Sequence, residues 1–188
     1  MDIYSDLPPH GSSNVPSTFA AGVRALGASD AQAFSLLRRE VTAHNPIPMG
    51  LTFQEELSRT LESFKEQLSY PAPNAAFGAF CDGQLVGSAA VAWQSTFASS
   101  RHKVILWGTF VSPRLRRRGL GRLLVERAIE HARDHAVRRV NLTMYLPNDA
   151  AERLYDSLGF VRYGVEPEAV CLGGTYYSGA QMSLLLDA

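Results

Sequence analysis

Apolar residues alternate with more exposed positions at Phe19, Ala21, Val23 and Ala25, which predicts a first strand. The period then lengthens. Phe34, Leu37 and Val41 recur at helical spacing behind Ser29 and Gln32, a pair three apart that predicts a capping box. Pro46 and Pro48 cannot continue a helix, so this one is expected to stop near His44. Thr52 with Glu55 predicts a second capping box, opening one amphipathic helix through Leu57, Leu61, Phe64 and Leu68. After Pro71-Ala72-Pro73 the pattern turns to strands over 76–81 and 84–93, flanking the hairpin signal Asp82-Gly83. Residues 95–100 read as a polar loop and 104–111 as a further strand. Leu120, Leu124, Ala128 and Ala132 mark one face of a long helix, with Arg122, Arg127 and Arg133 elsewhere around it. Val140, Leu142, Met144 and Leu146 alternate as a strand, and 148–158 reads as a short helix capped by Gly159. Strands over 161–165 and 181–186 close the pattern, with a Gly-rich turn and two tyrosines between them.

This order of elements implies an α/β sheet with helices on both faces in a single domain over 17–188. Residues 1–16, holding three prolines and few apolar groups, read as a loose arm. The 188 residues are 46% apolar and 19% charged, enough for a sizeable core. Eighteen basic residues balance eighteen acidic ones. Zero net charge argues against a protein that coats nucleic acid or an anionic membrane. No run approaches the roughly 18 apolar residues of a membrane span, and the N-terminus lacks the basic start and apolar middle of a secretion signal. Cys81 and Cys171 form no CxxC, so neither a disulfide scaffold nor a cysteine-rich zinc site is expected. A reducing, cytoplasmic setting follows. Sixteen arginines against two lysines reflect the genome composition of a GC-rich bacterium rather than a mechanism.

Candidate chemistry concentrates in Val111-Ser112-Pro113-Arg114-Leu115-Arg116-Arg117-Arg118-Gly119-Leu120-Gly121-Arg122, between a strand and the long helix. A helix start offers unpaired N–H groups and a partial positive charge to phosphate oxygens. Gly119 and Gly121 would let a pyrophosphate approach the backbone. The segment is neither a Walker loop nor a Rossmann fingerprint. Three readings stand at this point: a nucleotide-phosphate cradle, a nucleic-acid patch over Arg114 to Arg118, or a solvated basic turn.

Arg116-x-x-Gly119-x-Gly121, then a strand, then Asn148-x-x-Ala151-x-x-Leu154-Tyr155-x-x-Leu158-Gly159-Phe160 resembles the GNAT superfamily of acetyl-CoA-dependent N-acetyltransferases. The resemblance covers roughly residues 104–165. It implies a mixed, mostly antiparallel sheet of about seven strands, with helices on both faces and strands four and five splayed apart. Acetyl-CoA would lie in that gap. Backbone groups at Phe110 and Val111 would bond its pantetheine amides in the manner of strand addition. Arg116, Arg117, Arg118, Gly119, Leu120 and Gly121, with Arg122, would hold its pyrophosphate. Asn148 matches the family asparagine that reaches the pantetheine arm, and it also suits a helix cap.

The implied reaction is direct attack of a primary amine, from a small molecule or a protein, on the thioester. Tyr155 matches the family tyrosine that protonates the departing thiolate; the bland reading makes it a packing aromatic beside Leu154 and Leu158. Many relatives carry a glutamate on strand four to take the amine's proton. Here Val104-Ile105-Leu106-Trp107-Gly108-Thr109-Phe110 has no carboxylate. Glu55, Glu56, Glu166 and His102 are the conceivable substitutes, each also readable as a surface group. Phe53, Trp93, Trp107, Tyr176 and Tyr177 could wall the acceptor pocket or belong to the core. Acetyl-CoA and an amine acceptor are the expected partners, with no metal, nucleic acid or membrane, and family likeness points to a homodimer. The missing carboxylate motivates one alternative, a non-catalytic module that senses acyl-CoA.

Overall fold

The computed structural model of the chain describes residues 22–95 and 97–186. Along it run β1 (Gly22–Ala25), α1 (Ala31–His44), α2 (Phe53–Ser58), α3 (Leu61–Leu68), β2 (Ala75–Cys81), β3 (Gln84–Trp93) and β4 (Lys103–Val111). Then come α4 (Leu120–Asp134), β5 (Arg139–Tyr145), α5 (Asp149–Ser157), β6 (Val161–Leu172) and β7 (Thr175–Leu185). The seven strands form one sheet in the order β1-β2-β3-β4-β5-β7-β6. Every neighbouring pair is antiparallel except β4–β5. The expected mixed, mostly antiparallel sheet is the one observed.

Each face has its own core. Phe34 of α1 and Phe64 of α3 meet edge to face at 5.9 Å and pack over Ala76 and Ala90. On the other face α4 buries Leu120, Leu124, Val125, Ala128, Ile129 and Ala132, the stripe that its sequence spacing predicts. Each large aliphatic side chain sealed in this way contributes about 1.5–3 kcal/mol. Leu154 and Tyr155 of α5, with Leu158 just past its end, join that same core beside Val140, Leu142 and Met144 of β5.

Three expectations need correction. The first cap is not Ser29 with Gln32: Asp30 accepts the Gly27 N–H at 2.9 Å and pairs with Arg24, through a turn that precedes α1. The helix expected from Thr52 to Leu68 is two. Arg59 and Thr60 are extended, and Thr60 accepts the Ser63 N–H to start α3. The last two strands are far longer than predicted and meet at a Gly173-Gly174 turn. Register shifts between Arg162 and Gly164 and between Glu166 and Val170 broke their alternation. The expected arm over 1–16, and the start of the first strand at Phe19, lie outside the described residues.

Candidate active site

The parallel ladder between β4 and β5 is short. It joins Lys103, Val104 and Ile105 to Arg139, Val140 and Asn141, and beyond these no pair connects the strands, although β4 continues to Val111 and β5 to Tyr145. The cause is local. Across β3–β4 the register passes from Ala90 opposite Trp107 to Ser88 opposite Phe110, so Gly108 and Thr109 together oppose the single residue Ala89. Such a bulge bends a strand away from its neighbour. Gly108 adopts φ +60°, a left-handed conformation that glycine takes without strain. The buried Ser88 hydroxyl clamps the bulge by donating to the Gly108 carbonyl at 2.8 Å. The strands therefore form a V, closed at Lys103 and open toward Val111.

The segment after β4 lies at the open end. Phe110 is buried against Leu37 and Val41 of α1, and Val111 packs into the α4 core. Ser112 donates to Glu40 of α1 at 3.0 Å. Arg116 folds back so that its Nε donates to the Val111 carbonyl at 3.1 Å. Arg117 and Arg118 are exposed, and Arg117 takes φ +62°. Gly119 is the N-cap of α4 at φ +79°, and an added Cβ there would meet only open space. Backbone conformation, rather than crowding, is thus what asks for glycine at 119. No side chain among the described residues caps α4, whereas Thr52, Thr60 and Asn148 cap α2, α3 and α5. The first-turn N–H groups of α4 are consequently left without a side-chain acceptor at the helix's positive end. The Leu120 side chain is buried beneath them. Arg122 bridges to Glu126 at 3.0 Å and to Ser157 of α5 at 2.6 Å, tying the two helices together.

Asn148 caps α5 by accepting the Ala151 N–H at 3.2 Å. Two turns further on, Tyr155 is only 7% exposed and meets Phe160 edge to face at 5.5 Å. Burial pushes its phenol pKa up, and the nearby Thr109 hydroxyl offsets only part of that rise. A tyrosine of α5 thus reaches the bulge of β4 from the opposite face.

The conceivable bases fare differently. Glu56 is fully buried and takes a bidentate pair of bonds from Arg38, Nε at 2.8 Å and Nη2 at 2.7 Å. It is a structural anion rather than a surface charge or an available base. Glu55 is bound into the cap of α2, accepting the Thr52 N–H and hydroxyl, both at 2.7 Å, and its carboxyl titrates lower for that reason. His102 stands at the closed end of the V, where it lines a cavity of about 740 Å³ with Lys103, Arg139 and Tyr163. Glu166 is exposed, accepts the Gln181 amide at 3.2 Å, and helps burial to raise the Tyr145 phenol.

Of the aromatic residues, Trp107 stands at the bulge with Arg38 6.0 Å from its ring. Trp93 belongs to the α4-side core near the closed end. Tyr176 and Tyr177 lie near the tip of the β6–β7 hairpin, and Phe53 is exposed on α2. Sequence reasoning missed Thr109 and the Arg38–Glu56 pair. A glycine inside an apolar strand, Gly108, was the signal for the bulge that aims Thr109.

The profile of the acetyltransferase (GNAT) family matches residues 39–160, which run from the second half of α1 through α5 and take in the whole V. The chain belongs to the GNAT acetyltransferase family. A mycothiol acetyltransferase from Thermomonospora curvata is 34% identical over 114 residues, 60% of this chain. That stretch is 37% of the relative, so the chain spans little more than a third of the relative's length. A GNAT acetyltransferase from Streptococcus pneumoniae superposes with a TM-score of 0.75 at 25% identity, covering 88% of this chain and 99% of that one. The Salmonella typhimurium protein yncA, solved with its cofactor acetyl-CoA, has the same TM-score at 21% identity, over 89% of this chain and 95% of its own. That last likeness is one of fold. In GNAT terms β4 and β5 are the splayed pair.

Proposed function

We propose that this GNAT protein transfers an acetyl group from acetyl-CoA to a primary amine, by direct attack within a ternary complex. The observation that carries the reading is the open V, which has the uncapped start of α4 at its mouth and the Tyr155 phenol on its α5 side. The unpaired edge of β4 would take the pantetheine arm as an added half-strand through the backbone of Phe110 and Val111. Arg116 would have to release the Val111 carbonyl for that bond. The backbone of residues 116–121 would hold the pyrophosphate, with Arg117, Arg118 and Arg122 adding charge. Asn148 would keep its cap while its amide nitrogen faces the arm.

The amine attacks the thioester carbon, and the carbon–sulfur bond breaks. The thiolate then takes the phenol proton of Tyr155. A phenol of ordinary pKa near 10 would be a usable donor to a thiolate near 8.5, and burial keeps the phenol protonated at neutral pH. With Glu56 held by Arg38 and no carboxylate on β4, we assign no protein base; the amine would shed its proton to water. The free cysteines Cys81 and Cys171 support a reducing compartment, which we infer to be the cytoplasm.

Thiol release from acetyl-CoA across a panel of amines, amino acids, peptides and aminoglycosides tests this. Stimulation by at least one amine, with the acetylated product seen by mass spectrometry, is expected. The missing strand-four carboxylate also favours a second reading, an acyl-CoA-binding module without turnover. Binding of coenzyme A with no acetylated product from any acceptor would replace the first reading by the second.

A further inference from the structure

Thr109 carries an observation that the proposed reaction leaves unused. Its hydroxyl oxygen is buried and near enough to the Tyr155 phenol to bear on its ionisation, yet among the described residues it closes no hydrogen bond of good geometry with that phenol or with any other group. A buried hydroxyl without a partner is costly, and native structures rarely keep one without reason. Its place follows from the bulge. Without the extra residue at Gly108, Thr109 would fall in step with Trp107, on the α1 face. With it, Trp107 and Phe110 both pack toward α1 while Thr109 turns to the α5 side, where Tyr155 lies. Gly108's conformation and the Ser88 clamp fix that choice. Among the described residues, burial raises the Tyr155 phenol and the Thr109 hydroxyl acts against that rise. Phe160, its other close neighbour, offers an aromatic ring edge.

We propose that Thr109 is the positioning residue of the Tyr155 phenol, held at the β4 bulge so that its hydroxyl steadies the phenol before proton transfer and the phenolate after it. The inference rests on the reading of Tyr155 as proton donor. During turnover the phenol O–H bond breaks and an S–H bond forms on coenzyme A. The phenolate oxygen then accepts a hydrogen bond from the Thr109 hydroxyl until it regains a proton from solvent. The proton shed by the attacking nitrogen leaves to solvent, so protons balance over the cycle. Thr109 touches neither substrate in this scheme and acts only through Tyr155.

Two readouts test it, one of which needs no substrate. Tyrosine labelled with ¹³C at Cζ reports ionisation of each phenol, and Tyr155→Phe assigns the resonance. In Thr109→Val the Tyr155 ionisation should begin about half a pH unit or more higher, and Thr109→Ser should restore it. In steady-state transfer, Thr109→Val should lower kcat about tenfold with KM for acetyl-CoA unchanged, and Thr109→Ser should recover most of the loss. Placed in a Tyr155→Phe background, Thr109→Val should cost nothing further. An unmoved Tyr155 ionisation, or an equal loss of kcat in the Tyr155→Phe background, overturns the proposal. If the wild-type protein transfers no acetyl group to any amine, the enzymatic reading fails by itself, and the ionisation readout still decides whether Thr109 holds the phenol.

Discussion

A phenol sealed among apolar neighbours can give up its proton only to a stronger base close at hand, and Tyr155 is such a group. Tyr155→Phe keeps the ring and its edge contact with Phe160. It should therefore lower kcat by about a hundredfold while leaving acetyl-CoA affinity within about twofold, as read by steady-state kinetics and calorimetry. The Arg38–Glu56 pair behaves in the opposite way, being structural with side chains 3% and 0% exposed. Glu56→Gln strands a buried guanidinium and should destabilise by about 3–5 kcal/mol in urea unfolding, whereas replacing both partners by apolar residues should be close to neutral. A small effect of Glu56→Gln on stability combined with a large one on the pH dependence of transfer would instead return Glu56 to the list of bases. Sequence alone could not separate these roles. Glu55 and Glu56 are adjacent, and the partner that distinguishes them, Arg38, is on another helix.

At the level of elements, legibility followed periodicity. The α4 stripe, the Asp82-Gly83 hairpin and the alternation of β5 were all readable, because each buries one regular face. What escaped was set by single residues acting against the pattern. Thr60 starts a second helix where the apolar spacing runs on unbroken, and Asp30 outcompetes Ser29 as a cap with the help of Arg24. The bulges of β6 hide two long strands, and the bulge of β4 opens the V. The glycines and arginines before α4 mark a candidate phosphate loop in the sequence, yet the engagement of Arg116 with Val111 and of Arg122 with Ser157 was not legible there, since neither partner is fixed by spacing. Gly119→Ala tests the loop as an element. A Cβ at φ +79° is strained although nothing crowds it, so about 1–2 kcal/mol of stability should be lost. Acetyl-CoA should bind about tenfold more weakly as the α4 mouth shifts, whereas unchanged affinity would remove this loop from the phosphate site.

For the whole molecule, zero net charge conceals groups that all weaken it in acid. Burial and the neighbouring His135 lower the His131 pKa below its ordinary 6.5, so the fold prefers the neutral ring. The unfolded chain then binds the extra proton, and the contribution is full above about pH 6.5 and is lost as pH falls through the folded value. Asp30, lowered by its bond from Arg24, keeps its contribution above about pH 4 and loses it below. Urea midpoints measured against pH should fall in two stages on acidification, and His131→Gln should flatten the upper stage; a profile level from pH 7 to 4 would contradict both. On the proposed reading the two ends of the V differ in duty: the paired end near Lys103 holds the sheet together, and the open end near Val111 would admit acetyl-CoA. Isothermal titration calorimetry with acetyl-CoA on the folded chain tests that division most directly. One site per chain with a dissociation constant of about 1–100 μM is predicted, and no heat at millimolar acetyl-CoA would contradict the account.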